Sequence, residues 1–163
     1  VISGEQFVDE CQVESDLELL LPATYVTGSS ERMLLYRELD SLTLDKDVEA
    51  FRNRLIDRFG PVPSETEELL RIVPLRRLAA RLGAEKVFLK GGRMSLFFIS
   101  NPESPYYQSQ AFGKVIAYMM KYTRRCDLRE QNTRRSMLVK DVKNVETAVG
   151  VLQEIVAMQV EEG

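Results

Sequence analysis

No histidine occurs anywhere in the sequence. Its absence removes the side chain that most often serves as general base near neutral pH, and with it the commonest nitrogen ligand for metals. Ser-His and Cys-His nucleophile pairs are excluded for the same reason. Cysteine is nearly as scarce: only Cys11 and Cys126 are present, far apart and without metal-ligand spacing. Two such thiols read as buried apolar side chains of a protein in a reducing cytosol, not as a disulfide framework. The chain also lacks a G-x-x-x-x-G-K-[ST] loop to cradle nucleotide phosphates, so ATP hydrolysis by that route is excluded. No run reaches the eighteen or so apolar residues of a membrane-spanning helix, and no membrane partner is expected. Lys and Arg are missing from residues 1–30, which hold Glu5, Asp9, Glu10, Glu14, Asp16 and Glu18.

What remains is ordinary for a soluble globular protein. Of 163 residues, 44% are hydrophobic and 29% charged, enough for one domain with a real core. The formal net charge of -3 conceals a reversal along the chain. Residues 121–143 carry Lys121, Arg124, Arg125, Arg129, Arg134, Arg135, Lys140 and Lys143 against only Asp127, Glu130 and Asp141. The first residue is Val1 and no charged-then-apolar leader follows, so the chain reads as a cytoplasmic piece of a longer protein, monomeric as a fragment. Residues 1–15 read as an acidic tail and residues 16–160 as the folded domain.

"DLELLLPATYV" suggests a strand over 17–21, stopped by Pro22. A first helix follows, with Ser29 and Ser30 as candidate caps and Leu34, Leu35, Leu39 and Leu42 at helical spacing. In a second, Leu44, Val48, Phe51, Leu55 and Phe59 form one apolar stripe, ended by Gly60-Pro61. Ser64 and Glu67 have capping-box spacing for a third helix, which runs from about 65 to 82 through Pro74 and ends at Gly83; a kink or two shorter helices is expected there. "EKVFLKGGRMSLFFI" reads as a hairpin about Gly91-Gly92. Ser104-Pro105 opens a fourth helix that turns Val115, Ile116, Met119 and Met120 inward. A second hairpin turns at Asn132-Thr133, and Asn144 caps a last helix bearing Val145, Ala148, Leu152 and Ile155. The fold class is α+β: a helical N-terminal half, then a small antiparallel sheet of two β-hairpins packed with helices.

Few residues suggest chemistry. Glu65, Glu67 and Glu68 sit in a first helical turn, where the dipole favours acids. Gly91-Gly92 has no helix behind it to hold a phosphate. The basic tract, represented by Arg124, Arg125, Arg129, Arg134 and Arg135, is a candidate surface for docking protein or nucleic acid. Tyr122 is its only aromatic, and single-strand binders present several stacking rings. Phe88, Phe97 and Phe98 of the first hairpin read as core.

In order, "DLELLLPATYV", "SERMLLYRELDSL", "LIDRFGPVPSETEELL" and "RLAARLGAEKV" give the chain a resemblance to the C-terminal domain of bacterial transcription-repair coupling factor, over about residues 16–158. The resemblance implies a parent that is an ATP-driven DNA translocase, with ATP and Mg held upstream of this segment. Such a parent displaces stalled RNA polymerase and recruits nucleotide-excision repair. It implies that this segment is a non-catalytic clamp without a cofactor. The clamp would pack on an N-terminal excision-repair-B-like module, mask the surface that binds the excision-repair-A protein, and quiet the motor. The family motif runs acidic-Leu-Ile-Asp-Arg-Phe-Gly. Asp57 matches its second acid, whereas Arg54 stands where the first would be. Asp57, flanked by Arg54 and Arg58, is therefore the candidate interdomain contact, with an i,i+3 attraction expected between Arg54 and Asp57. The alternative is an accessory domain that contacts DNA through residues 121–143.

Overall fold

The computed structural model describes residues 7–160, which form two units: residues 17–74, and residues 75–160 together with residues 7–16. No described helix is long and apolar enough to cross a membrane.

The smaller unit is helical. α1 (Ser29–Ser41) and α2 (Asp45–Phe59) are joined by three residues, and α3 begins at Ser64 and continues to Arg81. Leu21, Val26, Leu39, Phe51, Leu55, Leu70 and Val73 make its core. The strand expected over 17–21 is absent, because side chains satisfy that backbone in place of a ladder. Tyr36 Oη accepts from the Leu21 amide at 2.7 Å, and the fully buried Thr66 donates its hydroxyl to Leu20 O at 2.8 Å. α1 has no side-chain cap: Gly28 precedes it, and Ser29 and Ser30 are its first helical residues. Its Leu34 is 63% exposed rather than inward. Nor does the Ser64–Glu67 capping box form. Pro63 O takes the amides of Thr66 and Glu67, while the Glu67 carboxylate leaves to bind Arg52 at 2.8 and 3.0 Å. α3 accommodates Pro74 as a single helix.

The larger unit holds a five-stranded sheet in the order β1-β2-β3-β5-β4: β1 (Gln12–Ser15), β2 (Ala84–Lys90), β3 (Arg93–Phe98), β4 (Cys126–Gln131) and β5 (Arg134–Val139). Both hairpins stand where the sequence puts them. Gly91-Gly92 and Asn132-Thr133 all adopt positive φ, as tight two-residue turns between twisted strands require. The sheet is mixed rather than purely antiparallel, because β1, inside the expected tail, pairs parallel to β2. Asp16 extends this join: its amide donates to Leu89 O, and its carboxylate accepts from the Gly91 amide, both at 3.0 Å. Val8 and Cys11 are buried just upstream, and residues 1–6 of the expected tail lie outside the described residues.

One sheet face, with Val87, Leu89, Met94, Leu96, Phe98, Met137 and Val139, is buried. α4 (Gln110–Lys121) and α5 (Val145–Val156) pack together in the same unit, α5 burying Val145, Ala148, Val151, Leu152 and Ile155. Asn144 caps α5 by accepting from the Thr147 amide at 2.7 Å. The fourth helix starts later than expected: Pro105–Gln108 is a 3-10 turn, and Ser109 caps α4 by accepting from Phe112. Met120, expected inward, is 68% exposed, and Tyr118 is buried in its place.

Gly83 ends α3 at φ +86°, and a Cβ there would lie 2.1 Å from the Tyr106 ring. Tyr106 is fully buried among Phe7, Phe98, Tyr107 and Phe112, and donates its hydroxyl to Leu82 O. Gly60 has the same sign of φ but open space around it. Gly60→Ala should therefore cost about 1–3 kcal/mol from backbone strain alone, and Gly83→Ala about 2–5 kcal/mol from strain plus overpacking, read as shifts of the urea midpoint.

Cys11 is 3% exposed and its thiol pKa is pushed up to about 12 by burial, with Arg76 opposing weakly; burial raises Cys126 too. Both should resist a disulfide-exchange reagent at pH 8 in the folded protein and react at once in denaturant, with the reaction followed by released chromophore.

Candidate functional site

Burial of Phe51 and Leu55 sets the rotation of α2. At about 100° per residue, Arg54, Asp57 and Arg58 then fall on its wet side, and all three are exposed. Asp45 and Asp47 lie in the first turn of α2 and Arg58 in the last, as the helix dipole favours.

The expected attraction between Arg54 and Asp57 does not form; Arg54 pairs with Glu38 on α1 instead. Arg54 reaches both carboxylate oxygens of Glu38, with Nη1 at 3.4 Å from Oε1 and Nη2 on Oε2. This hydrogen bond pushes the Arg54 pKa up, so the guanidinium stays charged. One turn further along α2, Arg58 Nη2 lies 2.6 Å from Glu31 Oε2. The early residue of α1 thus meets the late residue of α2, and the two pairs brace an antiparallel helical hairpin. Each guanidinium also lies over a ring, Arg54 at 5.4 Å from the Phe51 centroid and Arg58 at 5.0 Å from that of Phe59. Both ion pairs are solvated, with arginine side chains 58% and 62% exposed, so each contributes about 0–1 kcal/mol.

Asp57 is left over. It is exposed, and among the described residues it has no ion pair. In the sequence it falls between two arginines whose charges α1 has already answered. Glu31 and Glu38 did not stand out in the sequence. The usable signal was their spacing of seven along α1 against the spacing of four between Arg54 and Arg58, since each spacing keeps its pair on one helix face.

The hairpin has a firm seat. Tyr25 donates its hydroxyl to Gly60 O at 2.8 Å, and its ring lies 5.6 Å from that of Phe59. The bidentate Arg52–Glu67 bond ties α2 to α3.

The basic tract is not one surface. Arg124 is exposed in the turn before β4. Arg125 is structural: its Nε and Nη2 donate to the carbonyls of Lys140 and Asp141 at 2.9 and 3.2 Å, clamping the open end of the second hairpin. Arg135 pairs with Glu130 and covers the Tyr107 ring at 4.3 Å, on the helix-covered side of the sheet. Arg129 and Arg134 stand on the opposite side, the first 3.8 Å from Asp127 and the second 3.1 Å from Glu85. Strand alternation has divided the tract. Among the described residues, no cluster of three or more acids and cysteines is placed to hold a metal ion.

Comparison with known proteins gives a consistent result. The TRCF domain family matches residues 15–109. The transcription-repair-coupling factor of Rickettsia bellii is 30% identical over 132 residues, which cover 80% of this chain and 11% of that protein. That of Staphylococcus haemolyticus is 26% identical over 121 residues, covering 71% and 10%. The chain thus spans about a tenth of the length of these relatives. Among solved structures, the crystal structure of the C-terminal domain of a transcription-repair coupling factor superposes with a TM-score of 0.68 at 17% identity, over 90% of this chain and 93% of that one. The chain belongs to the TRCF domain family of the transcription-repair-coupling factors.

Proposed function

We propose that this chain is a regulatory interaction module without a reactive centre of its own, acting inside a DNA translocase of its relatives' length. It packs on an N-terminal excision-repair-B-like module, covers the surface that the excision-repair-A protein would use, and restrains an ATP-driven motor. In this reading the longer protein displaces stalled RNA polymerase and recruits excision repair. The observation that supports it best is the open carboxylate of Asp57, which falls in the sequence between two arginines already engaged by Glu38 and Glu31. A carboxylate left over where the neighbouring arginines of its helix are already paired favours a partner that brings a single well-placed cation. Arginine suits that role because its planar fork can grip a carboxylate with two hydrogen bonds. An arrival in register would desolvate the pair, and such a pair matters far more than an exposed one.

The test is capture of this chain by the N-terminal module of the same factor, together with basal ATPase of the intact factor. Asp57→Arg should weaken capture by about thirtyfold or more, raise ATPase and open the surface for the excision-repair-A protein. Glu38→Gln, which releases Arg54 to compete for Asp57 at i,i+3, should weaken capture several-fold in the same direction. Unchanged capture and unchanged ATPase in both variants would reject the proposal.

A further inference from the structure

The second face of the sheet has a composition of its own. Register places Lys86, Phe88 and Lys90 of β2 beside Phe97, Ser95 and Arg93 of β3, and Ser95 and Phe97 beside Leu138 and Ser136 of β5. Arg129 lies opposite Ser136 on β4. Phe88 and Phe97 therefore stand on adjacent inner strands, facing away from the core that holds Phe98, and are only half-buried. Their rings meet edge to face with centroids 5.4 Å apart.

Cations surround the two rings. Lys86 and Lys90 lie over Phe88 at 4.9 and 5.1 Å, and Arg134 lies over Phe97 at 5.7 Å. With Arg93 and Arg129 these make five positive side chains on a chain whose net charge is negative. The nearby carboxylates are four: Glu14 at 3.7 Å from Lys86, Glu85 on Arg134, Asp127 on Arg129, and Asp16, which is held by the Gly91 amide at the turn between Lys90 and Arg93. Lys90 and Arg93 have no ion pair among the described residues, and both are exposed. A shallow trough of about 670 Å³ runs over this face, lined by both rings, Ser95, Ser136, Arg129 and Arg134. The Nε of Arg134 is buried there without an acceptor, a donor that is costly to leave unfilled.

We infer that this face binds a single-stranded nucleic acid. Phosphates would be met by Lys90, Arg93, Arg129 and Arg134, and bases by Phe88 and Phe97 across the inner strands. Charge alone would equally suit an acidic peptide. The paired rings decide between them, because carboxylates gain little from an aromatic face, whereas every base has a face to stack. Rings on a sheet need unstacked bases, and this face projects no helix into a groove, so a single strand fits and a duplex does not. Ser95 and Ser136 lie between the rings and the cations, where hydroxyls can reach base edges or sugar oxygens.

The test is fluorescence anisotropy of a labelled fifteen-nucleotide oligo-dT with the full 163-residue chain, from 20 to 300 mM KCl. Binding at low salt should fall with a log-log slope of about -2 to -3.5, corresponding to roughly three to five neutralised phosphates. Phe88→Leu with Phe97→Leu, which keeps apolar volume and removes stacking, should weaken binding about fivefold or more at an unchanged slope. Lys90→Glu with Arg93→Glu, at exposed positions that leave the core alone, should weaken binding and make the slope shallower by about 1.4. Asp57→Arg should bind the oligonucleotide as the parent chain does, which separates this inference from the proposed regulatory contact. Absence of binding at 20 mM KCl, equal affinity for a fifteen-base-pair duplex, or indifference to the charge reversals would overturn it. So would capture of a poly-glutamate peptide in preference to oligo-dT.

Discussion

Phe51 and Leu55, each 1% exposed, fix how α2 is turned about its axis, and the charged surface of the helical unit follows from that rotation. A helix has no independent control over its two faces: once two residues four apart are inside, those near the opposite side are in water. Arg54, Asp57 and Arg58 are outward for this reason before any partner is considered. The hairpin then adds what a single helix could not. α1 returns antiparallel with Glu31 and Glu38 in reach of the two arginines, so the bases are neutralised from the side and the acid is not. A row that reads as two cations and one anion along the sequence presents itself as one unanswered anion.

That conversion explains where sequence reasoning reached and where it stopped. Both hairpins, α5 with its Asn144 cap, the Gly60 and Gly83 stops, and the α2 stripe were legible because each rests on contacts within a few residues. Glycine at positive φ and apolar residues at helical spacing need no distant partner to be recognised. β1 was not legible, since its ladder lies some seventy residues away on β2 and its four residues include only one large apolar side chain. The non-strand at 17–21 failed for the converse reason: local alternation was present, but Tyr36 and Thr66 supplied the hydrogen bonds that a neighbouring strand would have given. Glu67 had the spacing of a capping box, yet its carboxylate was drawn off by Arg52, a longer-range and bidentate competitor. At the candidate site, Asp57 and its flanking arginines were visible as residues, while their pairing was not. Arg54 had a plausible partner at i,i+3 and pairs with Glu38 on the preceding helix instead.

The sheet repeats the lesson with a period of two. Residues 121–143 form one basic block in the sequence, but strand alternation sends Arg135 to the side of Tyr107 and the helices, and Arg129 and Arg134 to the other side. Arg125 is withdrawn altogether to hold two carbonyls. The same alternation divides the consecutive phenylalanines of β3, leaving Phe98 fully buried and Phe97 at the half-open face beside Phe88. Linear charge density therefore overstated the tract and understated the hairpin. Lys86, Lys90 and Arg93 belong to neither end of the charge distribution, yet they complete the positive face.

The two surfaces also differ in how they can discriminate. Phosphate binding by several cations is additive and long-ranged, weakens steeply with salt, and accepts many sequences. A single carboxylate framed by satisfied arginines behaves in the opposite way. With Arg54 and Arg58 answered by Glu38 and Glu31, a single negative charge remains; solvent and salt screen it at a distance, and it matters most after a partner has come close enough to exclude water. A partner that places an acid there meets repulsion and an unpaired buried charge, which rejects it more strongly than the correct cation is attracted. In the proposed regulatory contact, the affinity must then come from area elsewhere in the interface, and Asp57 with its bracing pairs sets which surface is accepted. A restraint meant to release suits that division, because an interface held by shape and checked by one charge can be undone by displacing a single contact.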